Sequence, residues 1–227
     1  LPASGGSTPT PTATVKVTAT VTATATVKPT PTATSVPGAT LGQDTFQRAN
    51  QSLWGKASDG HTWSGDANTA NVFSISGNRG VVANGTMSYS AVLGATSANA
   101  EVVFTGSINT FSSNNFGAVL RWTDGNNWYK AYIDGASLII QKKVSGATTI
   151  LAQQPFAAKA ATAYTIHFRV VGTTLSANVW AAGTAEPSGW MATATDSTFA
   201  SGYTGLRMQI LGGSTLSISA FKSTALA

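Results

Sequence analysis

Residues 116–152 read FGAVLRWTDGNNWYKAYIDGASLIIQKKVSGATTILA. Three turn signals cut this stretch into four short runs: Asp124-Gly125-Asn126, Asp134-Gly135 and Ser145-Gly146. Gly, Asn and Asp adopt the positive backbone angles that tight hairpin turns require, so each signal reads as a reversal between antiparallel strands. The runs themselves, 115–122, 127–134, 137–144 and 147–152, are rich in β-branched and aromatic residues. Within 127–133, Tyr129, Ala131 and Ile133 fall on one face while Trp128, Lys130 and Tyr132 share the other. That alternation marks a strand with one face in a core.

The same reading extends outward. Strands are expected at 72–76, 79–83, 87–93 and 99–106 before this stretch, and at 163–171, 174–181, 204–211 and 214–222 after it. Ser76-Gly77-Asn78, Val171-Gly172 and Gly212-Gly213 supply further turns. No segment carries a helical period; only QQPFAAKAAT (153–162) suggests a short helical turn, limited by Pro155. Many short strands at near-regular spacing define an all-β chain folded as an antiparallel β-sandwich.

Upstream of residue 41 the composition changes. Residues 1–40 hold six of the eight prolines, thirteen threonines and no aromatic residue, so the chain divides into a Thr/Pro/Ala-rich tail (1–40) and a sandwich domain (41–227). Inside the tail, VKVTATVTATATVK (15–28) alternates strictly. Val15, Val17, Ala19, Val21, Ala23, Ala25 and Val27 lie on one face, with threonines and the terminal Lys16 and Lys28 on the other. Extended, it would span about 46 Å at roughly 3.3 Å per residue. The tail thus contains one long β-strand with no hairpin partner beside it, and its backbone groups require pairing from elsewhere. One reading is a stalk; the other is a donor strand that completes a sheet in a neighbouring copy, generating a head-to-tail homopolymer.

Composition narrows the function. The 42% hydrophobic content suffices for a core, while the net charge of +5 is spread thinly, with Lys142-Lys143 the one adjacent basic pair. A nucleic-acid surface would show a basic cluster or stripe, so no nucleic-acid partner is expected. The chain has no cysteine, which excludes disulfides and thiolate metal sites. No run of 18 apolar residues is present, and no membrane span is expected. The opening at Leu1 and the Thr/Ser-rich surface point to an extracellular or cell-surface protein after removal of a signal segment.

DTFQRANQSLWGKASDGHTW (44–63) resembles the D-x-F-x-R … W-G … G-x-x-W opening of secreted bacterial modules with the concanavalin A-like lectin/glucanase fold. Residues 116–152 resemble the central strands of these laminin-G-like jelly rolls, and GYTGLRM (202–208) resembles a closing strand. The resemblance covers most of 44–222 and implies a jelly roll. It leaves function open, because this fold hosts lectins, hydrolases, adhesins and scaffold modules.

The eight acids are Asp44, Asp59, Asp66, Glu101, Asp124, Asp134, Glu186 and Asp196. Glycosidases need two carboxyl groups facing one cleft, and the E-x-D-x-x-E arrangement of the family's glucanase branch does not occur. His61 and His167 are the only histidines, no G-x-S-x-G is present, and the module is read as non-enzymatic. A glycan site, if present, would combine Arg121, Trp128, Tyr132, Asn178 and Trp180, while Trp54 and Trp63 are expected as core anchors. Calcium is common in the wider fold, and Asp44 and Asp124 are the candidate ligands; no other cofactor is expected. Asn50 (NQS) and Asn84 (NGT) are glycosylation acceptor sequences. Two functions fit these features. One is a secreted structural subunit that self-assembles into filaments through its N-terminal strand. The other is a lectin-like module that binds polysaccharide from the end of a Thr/Pro-rich stalk.

Overall fold

The computed structural model describes residues 1–3, 5 and 36–227. The chain separates into two units, 1–33 and 34–227, and the second is the sandwich. The expected assembly strand, Val15 to Val27, lies outside the described residues.

In chain order the strands are β1 (Thr40–Asp44), β2 (Gln51–Ser52), β3 (Ser64–Gly65), β4 (Phe73–Ser76), β5 (Arg79–Ala83), β6 (Met87–Ser97), β7 (Ala100–Ile108) and β8 (Asn115–Asp124). They continue as β9 (Asn127–Ile133), β10 (Ser137–Val144), β11 (Ala147–Pro155), β12 (Tyr164–Val171), β13 (Thr174–Ala181), β14 (Ala192–Thr195), β15 (Gly202–Ile210) and β16 (Thr215–Ala225). Nine form one sheet in the order β14-β13-β12-β7-β16-β5-β4-β2, with β1 also on β16. Seven form the other, β11-β10-β9-β8-β15-β6-β3. All of these pairings are antiparallel. Successive strands β6 and β7, β7 and β8, and β15 and β16 change sheets, which makes the molecule a jelly-roll-type sandwich rather than two meanders.

The alternation read from the sequence sorts side chains as expected. Phe116, Ala118 and Leu120 of β8, Tyr129, Ala131 and Ile133 of β9, and Ile166, Phe168 and Val170 of β12 are fully buried in one core. Each large apolar side chain buried in this way contributes about 1.5–3 kcal/mol.

The helical turn expected in 153–162 is absent. Gln153–Pro155 instead complete β11, and the chain is then sewn to the β9–β10 turn by Phe156 N–H to Ala136 O (2.8 Å) and Ala158 N–H to Gly135 O (3.1 Å). Extended pairing satisfies these backbone groups where a turn cut short by Pro155 would not. The helical turn that does occur is a 3-10 turn at Asp66–Asn68.

The D-x-F-x-R … W motif is a buried staple. Asp44 is fully buried, and its carboxylate accepts from Phe46 N–H (2.8 Å), Trp63 Nε1 (2.7 Å), Ser58 N–H (3.3 Å) and both Arg48 Nη atoms (2.7 and 3.0 Å). The bidentate Arg48 contact neutralises a carboxylate that burial alone would make very costly. Around it Phe46, Trp54, Trp63, Phe73 and Phe221 meet edge-to-face or stacked, with ring centroids 4.9–6.0 Å apart. Trp54 and Trp63 are core anchors, as expected.

Candidate functional site

The outer face of the seven-stranded sheet carries the most concentrated chemistry of the described residues. Since β9 buries Tyr129, Ala131 and Ile133, Trp128, Lys130 and Tyr132 project to this face. By the same alternation β15 presents Gly205, Arg207 and Gln209, and β10 presents Gln141 and Lys143. Strand β8 lies between β15 and β9 and offers Gly117, paired on one side with Arg207 and on the other with Tyr132. A Cβ at Gly117 would lie 2.0 Å from Ala131 O and 2.5 Å from Tyr132 Cβ. The rung between Arg207 and Tyr132 is therefore bare backbone, and the groove has a floor there.

Over this floor lies a cavity of about 250 Å³ lined by Trp128, Lys130, Tyr132, Gln141, Lys143 and Arg207, with Ser88, Asn115, Thr148 and Gln209 at its margins. A second cavity of about 460 Å³ shares Ser88, Lys143 and Arg207 with it and continues to Asp66, Ser90, Trp122 and Asn126. The two form one groove across the sheet. Trp122 packs edge-on against Tyr203 (6.4 Å between centroids), and its buried indole N–H finds no acceptor among the described residues.

The groove side chains hold one another in place. Arg207 lies over the Trp128 ring at 5.0 Å and donates from Nη1 to Ser90 Oγ at 2.6 Å. Lys130 Nζ sits 4.3 Å from the Tyr132 ring centroid and donates to Asn115 Oδ1 at 2.5 Å. Trp128 Nε1 donates to Gly125 O at 3.1 Å, tying the indole to the β8–β9 turn. Burial pushes Lys130 well below the usual lysine range, and the charge of Arg207 adds to the effect. Lys143 is lowered for the same two reasons, burial first, partly offset by Asp124. Burial lowers Arg207 as well, partly offset by Asp66.

Of the residues expected to hold a glycan, the fold brings together Trp128 and Tyr132 only. Arg121 is a structural clamp: it has φ 49° at the irregular end of β8 and is 4% exposed. Its guanidinium donates to Ala98 O (2.8 Å), Gly172 O (2.7 Å) and Phe199 O (2.5 Å), fastening three loops at one end of the sandwich. Asn178 and Trp180 belong to β13 in the nine-stranded sheet. Asn178 is buried, donating to Glu186 Oε1 (3.0 Å) and accepting from Met191 N–H (2.8 Å). Lys130, Lys143, Arg207, Gln141 and Trp122 join the site instead. Polar residues alternating with apolar ones in LRMQI were the available signal for Arg207; IIQKK has no such alternation to show Gln141 and Lys143.

The calcium expectation meets a different chemistry. The Asp44 carboxylate is enclosed by nitrogen donors, and Asp124 is spent on its own turn, accepting from Asn126 N–H (2.7 Å) and Asn127 Nδ2 (2.9 Å). The two lie on different sheets, and the described residues contain no group of three or more metal-ligating acids and histidines. Asn50 and Asn84 are both exposed. His61 is held in its loop by Asp59 (Nδ1···Oδ2 3.0 Å). His167 bridges Glu186 (2.8 Å) and Glu101 (3.1 Å) on the nine-stranded sheet, so these two acids meet in space although 85 positions separate them in the chain.

No family model and no curated protein matches the chain. Solved structures do match in fold. The carbohydrate-binding module CBM66 from Bacillus subtilis superposes with a TM-score of 0.52 at 14% identity, over 82% of this chain and 96% of that one. LamAcat from Zobellia galactanivorans gives 0.55 at 8% identity, over 82% and 97%. The GH43 protein BlXynB from Bacillus licheniformis gives 0.58 at 13%, over 81% of this chain but only 39% of its own. At such identities the likeness is one of fold: a concanavalin-like β-sandwich shared by binding modules and glycoside hydrolases.

Proposed function

We propose that the sandwich is a non-catalytic, extracellular carbohydrate-binding module that holds a polysaccharide segment in the groove of its seven-stranded sheet. The carrying observation is the groove itself, in which Trp128 and Tyr132 sit among hydrogen-bonding Lys130, Gln141 and Arg207. Trp128 and Tyr132 back the Arg207 and Lys130 side chains that lie over them, and such convergent polar groups read sugar hydroxyls. The binding modules among the structural relatives support this reading. The placement of the acids supports a non-catalytic role. Asp66 is the single carboxylate lining the groove, while Glu101 and Glu186 are both engaged by His167.

The filament reading rests on the alternation of 15–28 and on the missing catalytic groups, and the groove makes carbohydrate binding the better-supported function. A glycan array followed by calorimetry on the full chain and its Trp128→Ala variant tests this. Binding that Trp128→Ala weakens at least about tenfold, with unchanged circular dichroism, supports the assignment. Equal binding by both proteins removes the groove as the site.

A further inference from the structure

We propose that the ligand of this groove is anionic: an acidic polysaccharide whose carboxylate or sulfate group seats among Lys130, Lys143 and Arg207. This rests on the carbohydrate-binding reading above and specifies its substrate class.

Three of the chain's thirteen lysines and arginines converge on one small cavity from β9, β10 and β15, although they are spread thinly along the sequence. No Asp or Glu lines that cavity. Asp66, in the adjoining half, accepts from Ser90 N–H through Oδ2 (2.7 Å). Elsewhere two cations are paired with acids, Arg48 with Asp44 at 2.7 Å and Lys142 with Asp196 at 2.6 Å, while the buried Arg121 is satisfied by three backbone carbonyls, a set of acceptors that Lys130, Lys143 and Arg207 lack. Among the described residues neither Lys130, Lys143 nor Arg207 has an ion-pair partner.

Lys130 makes the case sharpest. It is 5% exposed, and its acceptor is the neutral amide oxygen of Asn115. A buried ammonium without a counter-ion is a standing cost to the fold. A neutral glycan needs only amide and hydroxyl groups around it and gives no reason to concentrate like charges in one groove. An anionic group arriving from solution relieves the repulsion that Arg207 exerts on both lysines. It would meet the Arg207 fork, which its stacking on Trp128 and its bond to Ser90 hold in a fixed orientation.

The depressed lysines add a second readout. Burial and the charge of Arg207 ease protons off Lys130 and Lys143 in the free groove, with Asp124 opposing the effect at Lys143. An arriving anion favours the charged forms, so binding takes up protons and weakens as pH rises through the lysine titration.

The test is calorimetry of the full chain with two matched pairs of probes. Polygalacturonate is set against highly methyl-esterified homogalacturonan, and dextran sulfate against dextran. Each pair keeps its backbone and removes its charge, and the two pairs distinguish a carboxylate from a sulfate as the source. We expect at least one charged member to bind about tenfold or more tightly than its neutral partner. Its affinity should fall steeply with salt, and proton uptake should appear as a dependence on buffer ionisation heat. Lys143→Gln, at a half-exposed position where folding is not at stake, should weaken that binding about three- to tenfold and reduce the salt dependence. A neutral probe bound as tightly as its charged partner overturns the anion assignment while leaving the carbohydrate-binding reading intact. Failure of all four to bind also overturns it; the glycan array and Trp128→Ala then decide the broader reading separately.

Discussion

Arg207 reaches across an intervening strand to stack on Trp128, its guanidinium carbon 5.0 Å from the ring centroid. Strands β15 and β9 are not neighbours; β8 separates them, and the residue it places beside Arg207 is Gly117. Any larger side chain there would collide with Ala131 O and Tyr132. The groove therefore depends on a missing side chain as much as on those present, and its aromatic and cationic elements are ordered before a ligand arrives.

Trp128 is only 2% exposed, so Trp128→Ala should act on the groove by freeing Arg207 from its stacking partner. Aromatic anchors in binding sites commonly contribute about 2 kcal/mol or more, so the loss of affinity should exceed tenfold. Trp128 is buried but lies outside the main core cluster, so a loss of stability is expected beside the loss of affinity. Calorimetry beside thermal unfolding separates the two effects.

Lys130→Met should stabilise the ligand-free protein and abolish tight binding. The side chain is buried with its charge unpaired, and an apolar replacement of similar length removes that penalty. A gain of about 1 kcal/mol is expected in urea unfolding at pH 7. The sign follows from linkage. The folded-state pKa of Lys130 lies below its unfolded value near 10.5, so between the two the unfolded chain binds more protons and wild-type stability rises with pH. The advantage of the variant should accordingly shrink as pH is raised toward 10.5. A variant less stable than wild type at pH 7 would contradict this account.

Asp44→Ala should be severe. It strands Arg48 and the Trp63 indole N–H in a buried cluster and removes the acceptor that holds Phe46 at φ 56°. Removing one partner of a buried, hydrogen-bonded charge pair costs about 3–5 kcal/mol. The urea midpoint and the near-ultraviolet dichroism of the surrounding tryptophans would both report it.

The hairpins from β8 to β11 were legible because Asp-Gly and Ser-Gly turns interrupt clean alternation, and that alternation also placed Trp128 and Tyr132 on one face. The two-residue strands β2 and β3 carry no period to read. Arg121 misleads because a left-handed residue at the end of β8 takes it out of the alternation and turns it onto three loop carbonyls. Asn178 and Trp180 have the right chemistry on the wrong sheet, and sheet membership is a long-range property that no local pattern records. Arg207 joins Lys130 and Lys143 only through β15–β8–β9–β10 pairing, so thinly spread charge in the sequence becomes a concentrated patch in space.

Asp196 offers a pH-dependent test of how the groove sheet is fastened to the β14–β15 loop. Its carboxylate accepts from Tyr129 Oη (2.6 Å), Lys142 Nζ (2.6 Å) and Thr198 N–H (2.9 Å), while Phe199 N–H donates to Tyr129 Oη (3.1 Å). Burial opposes ionisation there, but the hydrogen bonds from Lys142, Thr198 and Tyr129 outweigh it and hold the carboxyl well below its usual value near 3.8. A depressed carboxyl contributes stability that is present above its unfolded pKa and lost as pH falls through its folded one. Asp196→Asn should therefore cost roughly 2 kcal/mol at pH 7, in line with hydrogen bonds to a charged group. The gap to wild type should hold down to about pH 4 and close progressively below it, as the wild-type carboxyl takes up its proton. Urea unfolding of both proteins at pH 7, 4 and 2 measures it. A gap that stays constant to pH 2 would mean that the charge of Asp196 contributes nothing and that the loop is held by shape alone.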